Sequence, residues 1–224
     1  MPLWAQLSIV LVLSGLLFAG AGLAYRSPLF ASRRIYEDKQ RKVVGARLWI
    51  RVLGNMAFSS GLVYGLAYLG YDLLIDDAER SWPMIVLQIV GILLLYDCAY
   101  YFMHRFAFHQ WNWLKRVHTV HHLVRHPNAI DSLFLHPVET FLGLALLMTC
   151  TAIVGPVQPF VFAIVFAVHS SLNILVHCGL DLPFTGFRAI SYLARKHDLH
   201  HTSMRGGNFA SLTPLCDILF GTAE

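Results

Sequence analysis

Residues 104–122 read HRFAFHQWNWLKRVHTVHH and hold five histidines: His104, His109, His118, His121 and His122. A second run, KHDLHH at 196–201, repeats the ending with His197, His200 and His201. The chain has 12 histidines in 224 residues, and none precedes His104. Imidazoles scattered for packing would not be confined to one half of a chain. That half carries a chemistry that needs them.

Helical spacing sharpens the reading. A helix advances ~100° per residue, so positions i, i+3 and i+4 share a face. His118, His121 and His122 have that spacing, as do His197, His200 and His201. Each trio reads as one helix presenting three imidazoles, with the adjacent pair free to diverge towards two metal ions. His169, Asn173 and His177 share a face at i, i+4 and i+8, and Asp97, Tyr101 and His104 share another. His104 and His109 do not. A gap of five turns the second side chain ~140° from the first, so the helix must end or distort near Phe108.

Clustered imidazoles suit iron, zinc, copper or nickel. The two trios with His104, His109 and His177 supply nine nitrogens. A tetrahedral zinc takes four, so two ions are expected. The ligands must be neutral and oriented, which a carboxylate on the other ring N–H achieves. Asp97 is best placed to do this for His104. Glu139 and Asp198 are further carboxylates that could offset metal charge. His126, just before Pro127, reads as a turn residue rather than a ligand, His169 as a core residue rather than a ligand, and His136 as evenly divided between a ligand and a structural residue.

The rest of the chain reads as membrane. Charged residues make up 13% and hydrophobic ones 56%, against ~25% charged in soluble domains. Apolar runs at 3–25, 48–70, 84–103, 138–154 and 157–176 mark four to five spans. The last two are short, joined by GPVQP, and read either as tilted spans or as a re-entrant hairpin. The first lacks a basic leader and is long for a signal peptide, so it reads as an uncleaved span. Arg26, Arg33, Arg34, Lys39, Arg41, Lys42 and Arg47 outnumber Glu37 and Asp38 in the first loop, which places that loop in the cytoplasm. Acidic 71–83 falls on the opposite side. This topology puts both histidine runs, and every candidate ligand except His169, at the cytoplasmic face. Gly61 and Gly65 stand in G-x-x-x-G register, a close-approach motif, and Arg51 reads as snorkelling to the interface. Cys98, Cys150, Cys178 and Cys216 form no C-x-x-C pair and read as free thiols. No basic run or motif points to nucleic acid. The expectation is one all-α membrane domain over 1–224, with spans in 1–96 and a cytoplasmic histidine-rich helical cap in 97–224.

Seven elements in this order resemble the fatty acid hydroxylase superfamily, which includes sterol desaturases and hydroxylases: DCAYYFMHRFAFH (97–109), HTVHH (118–122), LHPVE (135–139), VHCG (176–179), KHDLHH (196–201), NFA (208–210) and DILFGT (217–222). The resemblance implies a helical membrane enzyme with two iron ions, which uses O2 and external electrons to hydroxylate or desaturate a lipid C–H bond. Carried onto this chain, the ligands would be His104, His109, His118, His121, His122, His177, His197, His200 and His201. His136 and Glu139 match a bacterial-type H-P-x-E element, and Asn208 opens the NFA element. In the fatty-acid branch a second histidine precedes the equivalent of His177 by one turn; that position is Asn173 here, with His169 a turn further back. Zinc would compete for such imidazoles in purified protein. No nicotinamide or flavin fingerprint occurs in the chain, so a separate reductase, ferredoxin or cytochrome is expected to supply electrons. A histidine-rich metal transporter and a haem-binding electron carrier are the rival classes. The substrate stays open among sterol, fatty acyl lipid, ether lipid and carotenoid.

Overall fold

The computed structural model describes residues 1–36, 43–182 and 184–224. Glu37, Asp38, Lys39, Arg41 and Lys42 of the basic loop lie outside the described residues. Among those described the chain is helical, with two isolated β-bridges and no extended strand. In order, α1 is Leu3–Arg26, α2 Gly45–Leu69, α3 the single turn Tyr71–Leu74, and α4 Trp82–Phe102, continued by a π-helical stretch Met103–Phe108. Then come α5 Asn112–His118, α6 Pro137–Val154, α7 Pro159–Val176, α8 Arg188–Thr202 and α9 Leu215–Leu219.

Five of these (α1, α2, α4 with its extension, α6 and α7) are long and apolar enough to cross a membrane. Proline fits the first turn, where its missing N–H costs nothing; α4, α6 and α7 all begin this way. Gly155, at φ 112°, stops α6 before the turn into α7. At 18 residues each, α6 and α7 are ~27 Å long by helical rise, close to the ~30 Å hydrocarbon core. Both are continuous helices joined by the short turn at Gly155–Gln158. The first apolar run is integral to the bundle: α1 buries Leu3, Leu7, Val10 and Phe18, and its Ser14 hydroxyl lies 2.9 Å from that of Ser170 on α7. Its outward residues Leu16 and Leu23 are 65% and 68% exposed, as are Val86 and Leu87 of α4 at 57% and 64%. Apolar surface of that extent is a face for hydrocarbon, not for water.

The two bridges mark the ends of the bundle. Ile75 pairs with Val157, so the acidic loop meets the α6–α7 turn. Arg34 pairs with Leu180, and the Ile35 N–H donates to the Gly179 carbonyl. The described part of the basic loop therefore shares an end with the chain following α7, where the histidines gather. Gly179 has φ 67°, and a Cβ there would stand 2.6 Å from the Pro127 carbonyl oxygen and 2.9 Å from the Tyr25 ring. Gly179→Ala combines left-handed strain with overpacking, so it is expected to cost about 2 kcal/mol or more. Thermal unfolding in detergent would show the lowered midpoint; an unchanged one would mean the turn relaxes freely.

One sequence reading changes and another gains detail. A Cβ on Gly61 or Gly65 would meet nothing within 4 Å, so that G-x-x-x-G makes no close helix contact. Arg51, read as snorkelling, also has partners within the fold. Its guanidinium donates to the Leu135 carbonyl at 3.2 Å and lies over the Phe134 ring. Beside it the buried Asn55 amide donates to the Leu133 and Leu135 carbonyls at 3.1 and 2.7 Å. These polar side chains of α2 fix the 133–135 segment, which matters at the site.

Candidate metal centre

Nine imidazoles from four regions converge at one end of the bundle. They divide into two groups: His104, His109, His118, His122 and His200 form one, and His121, His177, His197 and His201 the other. Within each group the potential ligand atoms all lie within 4.8 Å of one another. The adjacent pairs do the dividing. His121 and His122 point into different groups, and so do His200 and His201.

The local backbone differs from the simplest reading of the first trio. His118 ends α5, whereas His121 and His122 sit on a 3-10 turn, His121–Leu123. The second trio does lie on one helix, α8. The distortion expected near Phe108 is the π-helical stretch Met103–Phe108. Widening the helix there brings the rings of His104 and His109 to 5.0 Å between centroids.

Hydrogen bonds set the tautomers. The Nδ1–H of His104 donates to the Phe209 carbonyl at 2.7 Å, that of His109 to Met204 at 2.9 Å, and that of His200 to Gly207 at 2.7 Å. His177 donates to Asn173 at 2.6 Å, His201 to Val124 at 2.8 Å, and His121 to Phe134 at a long 3.4 Å. The Nδ1–H of His118 donates to the Glu139 carboxylate at 2.8 Å. A carbonyl or carboxylate oxygen only accepts, so each of these Nδ1 atoms carries the proton and each Nε2 keeps a lone pair.

Those lone pairs face each other. The Nε2 atoms of His104 and His118 are 3.0 Å apart, those of His121 and His177 3.1 Å, and those of His121 and His201 3.1 Å. Unprotonated nitrogens at that distance repel unless a cation lies between them. Nitrogens each ~2.1 Å from one ion stand about 3.0 to 3.4 Å apart at right or tetrahedral angles. The donor set fits two transition-metal ions. Burial, helped by neighbouring imidazoles, holds His118, His121, His197 and His201 well below the ordinary imidazole pKa. It lowers His200 to about 3 and His177 to about 4. All are neutral at pH 7, the form that binds metal. The Nε2 of His109 is buried without a partner.

The further candidates take other places. Asp97 does not orient His104 directly: its carboxylate accepts the backbone N–H groups of Ser211, Leu212 and Thr213 and the Thr213 hydroxyl. Side chains at i and i+7 on α4 are two turns apart, too far for direct contact. Asp198 faces away from the imidazole groups towards His126, 3.1 Å from its Nδ1, and His126 in turn stacks on Tyr36. His136 caps α6, its Nδ1 accepting from the Val138 N–H, and belongs to neither group. His169 bonds the Tyr96 hydroxyl at 3.0 Å. Asn173 contributes its carbonyl to His177. Asn208, at φ 61°, ties its amide to the Lys196 carbonyl and accepts from the Glu224 N–H.

A cavity of about 380 Å³ runs from the bundle interior to both groups. Its walls include Phe18, Val63, Leu144 and Phe166, with Gly15 and Gly143 leaving open wall, and His104, His118, His121 and His177 line it as well. Its size is that of a small-molecule pocket.

The family model for fatty acid hydroxylase matches residues 89–222, which contain all nine clustered imidazoles. This chain belongs to the fatty acid hydroxylase family. It is 30% identical over 149 residues to methylsterol monooxygenase 1 of Danio rerio, covering 65% of this chain and 50% of that protein. It is 32% identical over 151 residues to methylsterol monooxygenase 2-2 of Arabidopsis thaliana, covering 63% and 54%. A very-long-chain aldehyde decarbonylase of Oryza sativa subsp. indica is 32% identical over 146 residues, covering 63% and 54%. The chain spans about half the length of these curated relatives. No solved structure matches it. The matched region holds α6, α7, most of α4 and the metal-competent histidine cluster, while α1 and α2 precede it.

Two features of the site lay outside the sequence reading. Backbone carbonyls from 204–209 serve three imidazoles, and no side-chain signature marks a carbonyl acceptor. Cys98 and Cys216 bring their sulfurs to 2.9 Å across α4 and α9, a contact between positions too far apart in sequence for spacing to reveal.

Proposed function

We propose that this protein is an O2-dependent oxidoreductase holding two non-haem iron ions, which oxidises a C–H bond of a membrane lipid. The observation that carries it is the facing of unprotonated Nε2 atoms in two buried groups at the end of an apolar cavity. His104, His109, His118, His122 and His200 would hold one ion, and His121, His177, His197 and His201 the other. Bound iron would supply the activation of O2 and the oxidation of the C–H bond. For hydroxylation, RH, O2, two electrons and two protons give ROH and water, and the electrons come from an external donor.

The protein's own part is placement. Carbonyl and carboxylate acceptors hold seven of the nine imidazoles in one tautomer, which orients them for a metal. Glu139 orients His118 and brings a carboxylate to the cavity end. The apolar walls admit a hydrocarbon body and exclude water, and the exposed apolar flanks of the helices let a lipid approach from the bilayer. Methylsterol monooxygenases among the relatives favour an isoprenoid or fatty lipid over a water-soluble substrate. Basic Arg26, Arg33 and Arg34 share the histidine end of the bundle, which supports a cytoplasmic site in one continuous membrane domain. The gathering of the imidazoles at one end, and not along a path through the spans, speaks against a metal transporter.

The test uses full-length protein loaded with Fe(II) without oxygen, then given O2, a reductant and mixed membrane lipids. Two irons per chain and an oxygen-18-labelled lipid product are expected. One metal or fewer per chain would sink the two-metal reading, and metal-loaded protein that consumes no O2 would sink the oxygenase.

A further inference from the structure

The first imidazole group leans on a segment that the second does not use. Residues 204–213 cross the site between α8 and α9. Three of their carbonyls, Met204, Gly207 and Phe209, accept the Nδ1–H groups of His109, His200 and His104. The acceptors for the second group come from elsewhere: Phe134, Asn173 and Val124.

Two buried carboxylates grip this strap by five consecutive backbone N–H groups. Asp217 accepts from Phe209 at 2.8 Å and Ala210 at 3.1 Å, and Asp97 from Ser211, Leu212 and Thr213 at 2.9, 2.7 and 3.0 Å. Asp217 also accepts the Thr222 hydroxyl at 2.9 Å and lies 3.5 Å from the buried Lys196 ammonium.

The connection to His104 passes through a single peptide group. The Phe209 carbonyl and the Ala210 N–H belong to the same peptide plane. On one side the N–H donates to Asp217; on the other the carbonyl accepts from His104. A negative charge at the N–H end polarises the amide and makes its oxygen a stronger acceptor. That oxygen then holds the Nδ1 proton more firmly and leaves Nε2 more electron-rich. The arrangement does the work of a carboxylate bonded directly to a ligating histidine, with an amide interposed.

We propose that Asp217 is a positioning residue for the first metal site, acting on His104 through the Phe209–Ala210 peptide, so that this site alone depends on the C-terminal strap. The proposal rests on the two-metal reading above and deepens it by making the two sites unequal. The adjacent Gly207 enforces the same geometry: a Cβ there would run into the Thr222 carbonyl, whose oxygen accepts the Asn208 N–H.

The experiment is metal titration of the full-length protein in nanodiscs with Co(II), read by visible spectra and by competition with a chelator. In wild type, two ions should bind. Asp217→Asn keeps the size but leaves one of two N–H groups facing an amide. It should weaken one ion about ten- to a hundredfold and leave the other unchanged. Asp217→Glu, which keeps the charge, should recover part of the loss. Thr222→Val, which removes the hydroxyl that donates to Asp217 and also lies 3.1 Å from the Tyr101 hydroxyl, should show the same one-site weakening to a smaller degree and serves if Asp217→Asn does not fold. Equal loss of both ions in the folded variants overturns the proposal, because that is the signature of a merely structural residue. Retention of both at wild-type affinity overturns it too. If wild type itself binds one ion or none, the two-metal reading has failed.

Discussion

Replacing His121 or His200 by alanine is expected to abolish lipid oxidation by different routes. His121 belongs to the four-imidazole group, where its Nε2 lies 3.1 Å from those of both His177 and His201. Its removal leaves three nitrogens and a gap in the centre of the group, so that ion should leave on dialysis. His200 belongs to the five-imidazole group, and four nitrogens remain after His200→Ala. That ion should stay but bind more weakly. Both variants should lose more than about a hundredfold in turnover, since even removal of an outer partner of a ligand costs ten- to a hundredfold. The difference lies in the metal count: about one per chain for His121→Ala and close to two for His200→Ala at saturating iron. Iron must be supplied under zinc-free conditions, because imidazole sites take zinc readily. Identical metal counts in the two variants would contradict the division into a group of four and a group of five.

That division was legible in part. The i, i+3, i+4 spacing of each trio and the adjacency of His121–His122 and His200–His201 are properties of sequence, and they place three imidazoles on a common surface. The five-residue gap between His104 and His109 required the helix to end or distort near Phe108, and the distortion is the π-helical stretch Met103–Phe108. What spacing could not reach was the partner of each ring. Asp97 looked suited to His104 because a charged residue inside an apolar run demands an explanation. Its true partners are backbone N–H groups more than a hundred residues away, and a backbone donor has no letter of its own. Glu139 takes the direct role for a different histidine, His118. It sits in the first turn of α6, on the face that meets α5. The same blindness explains Arg51 and Asn55. Both fix the loop carrying the Phe134 carbonyl; Arg51 read from sequence as snorkelling, and Asn55 drew no reading.

Filling the cavity should separate the metal chemistry from the lipid. Gly143 lies on α6 and lines the cavity, and a Cβ there would meet nothing within 4 Å. The Cβ of Gly143→Ala or Gly143→Leu therefore enters without a clash, and the rest of the leucine side chain takes up cavity volume. The helix itself should gain slightly, since leucine is a better helix former than glycine by ~0.8 kcal/mol. Metal content and thermal midpoint should match or exceed wild type. Oxidation of a bulky lipid should fall by tenfold or more in kcat/KM, because a single misfitted methylene in an apolar pocket is worth about 1–3 kcal/mol and leucine adds several carbons. Gly143→Ala should lie between. A slimmer hydrocarbon substrate should suffer less than a fused-ring one, so the ratio of their losses reports the shape of the true substrate. Full activity in Gly143→Leu on every lipid tested would mean that the substrate reaches the imidazoles by another path. Loss of metal together with activity would mean that the substitution disturbed Glu139 and His118, one turn away, and not the lipid. The expected result, intact metal with selectively lost turnover, is the one that ties this cavity to the reaction.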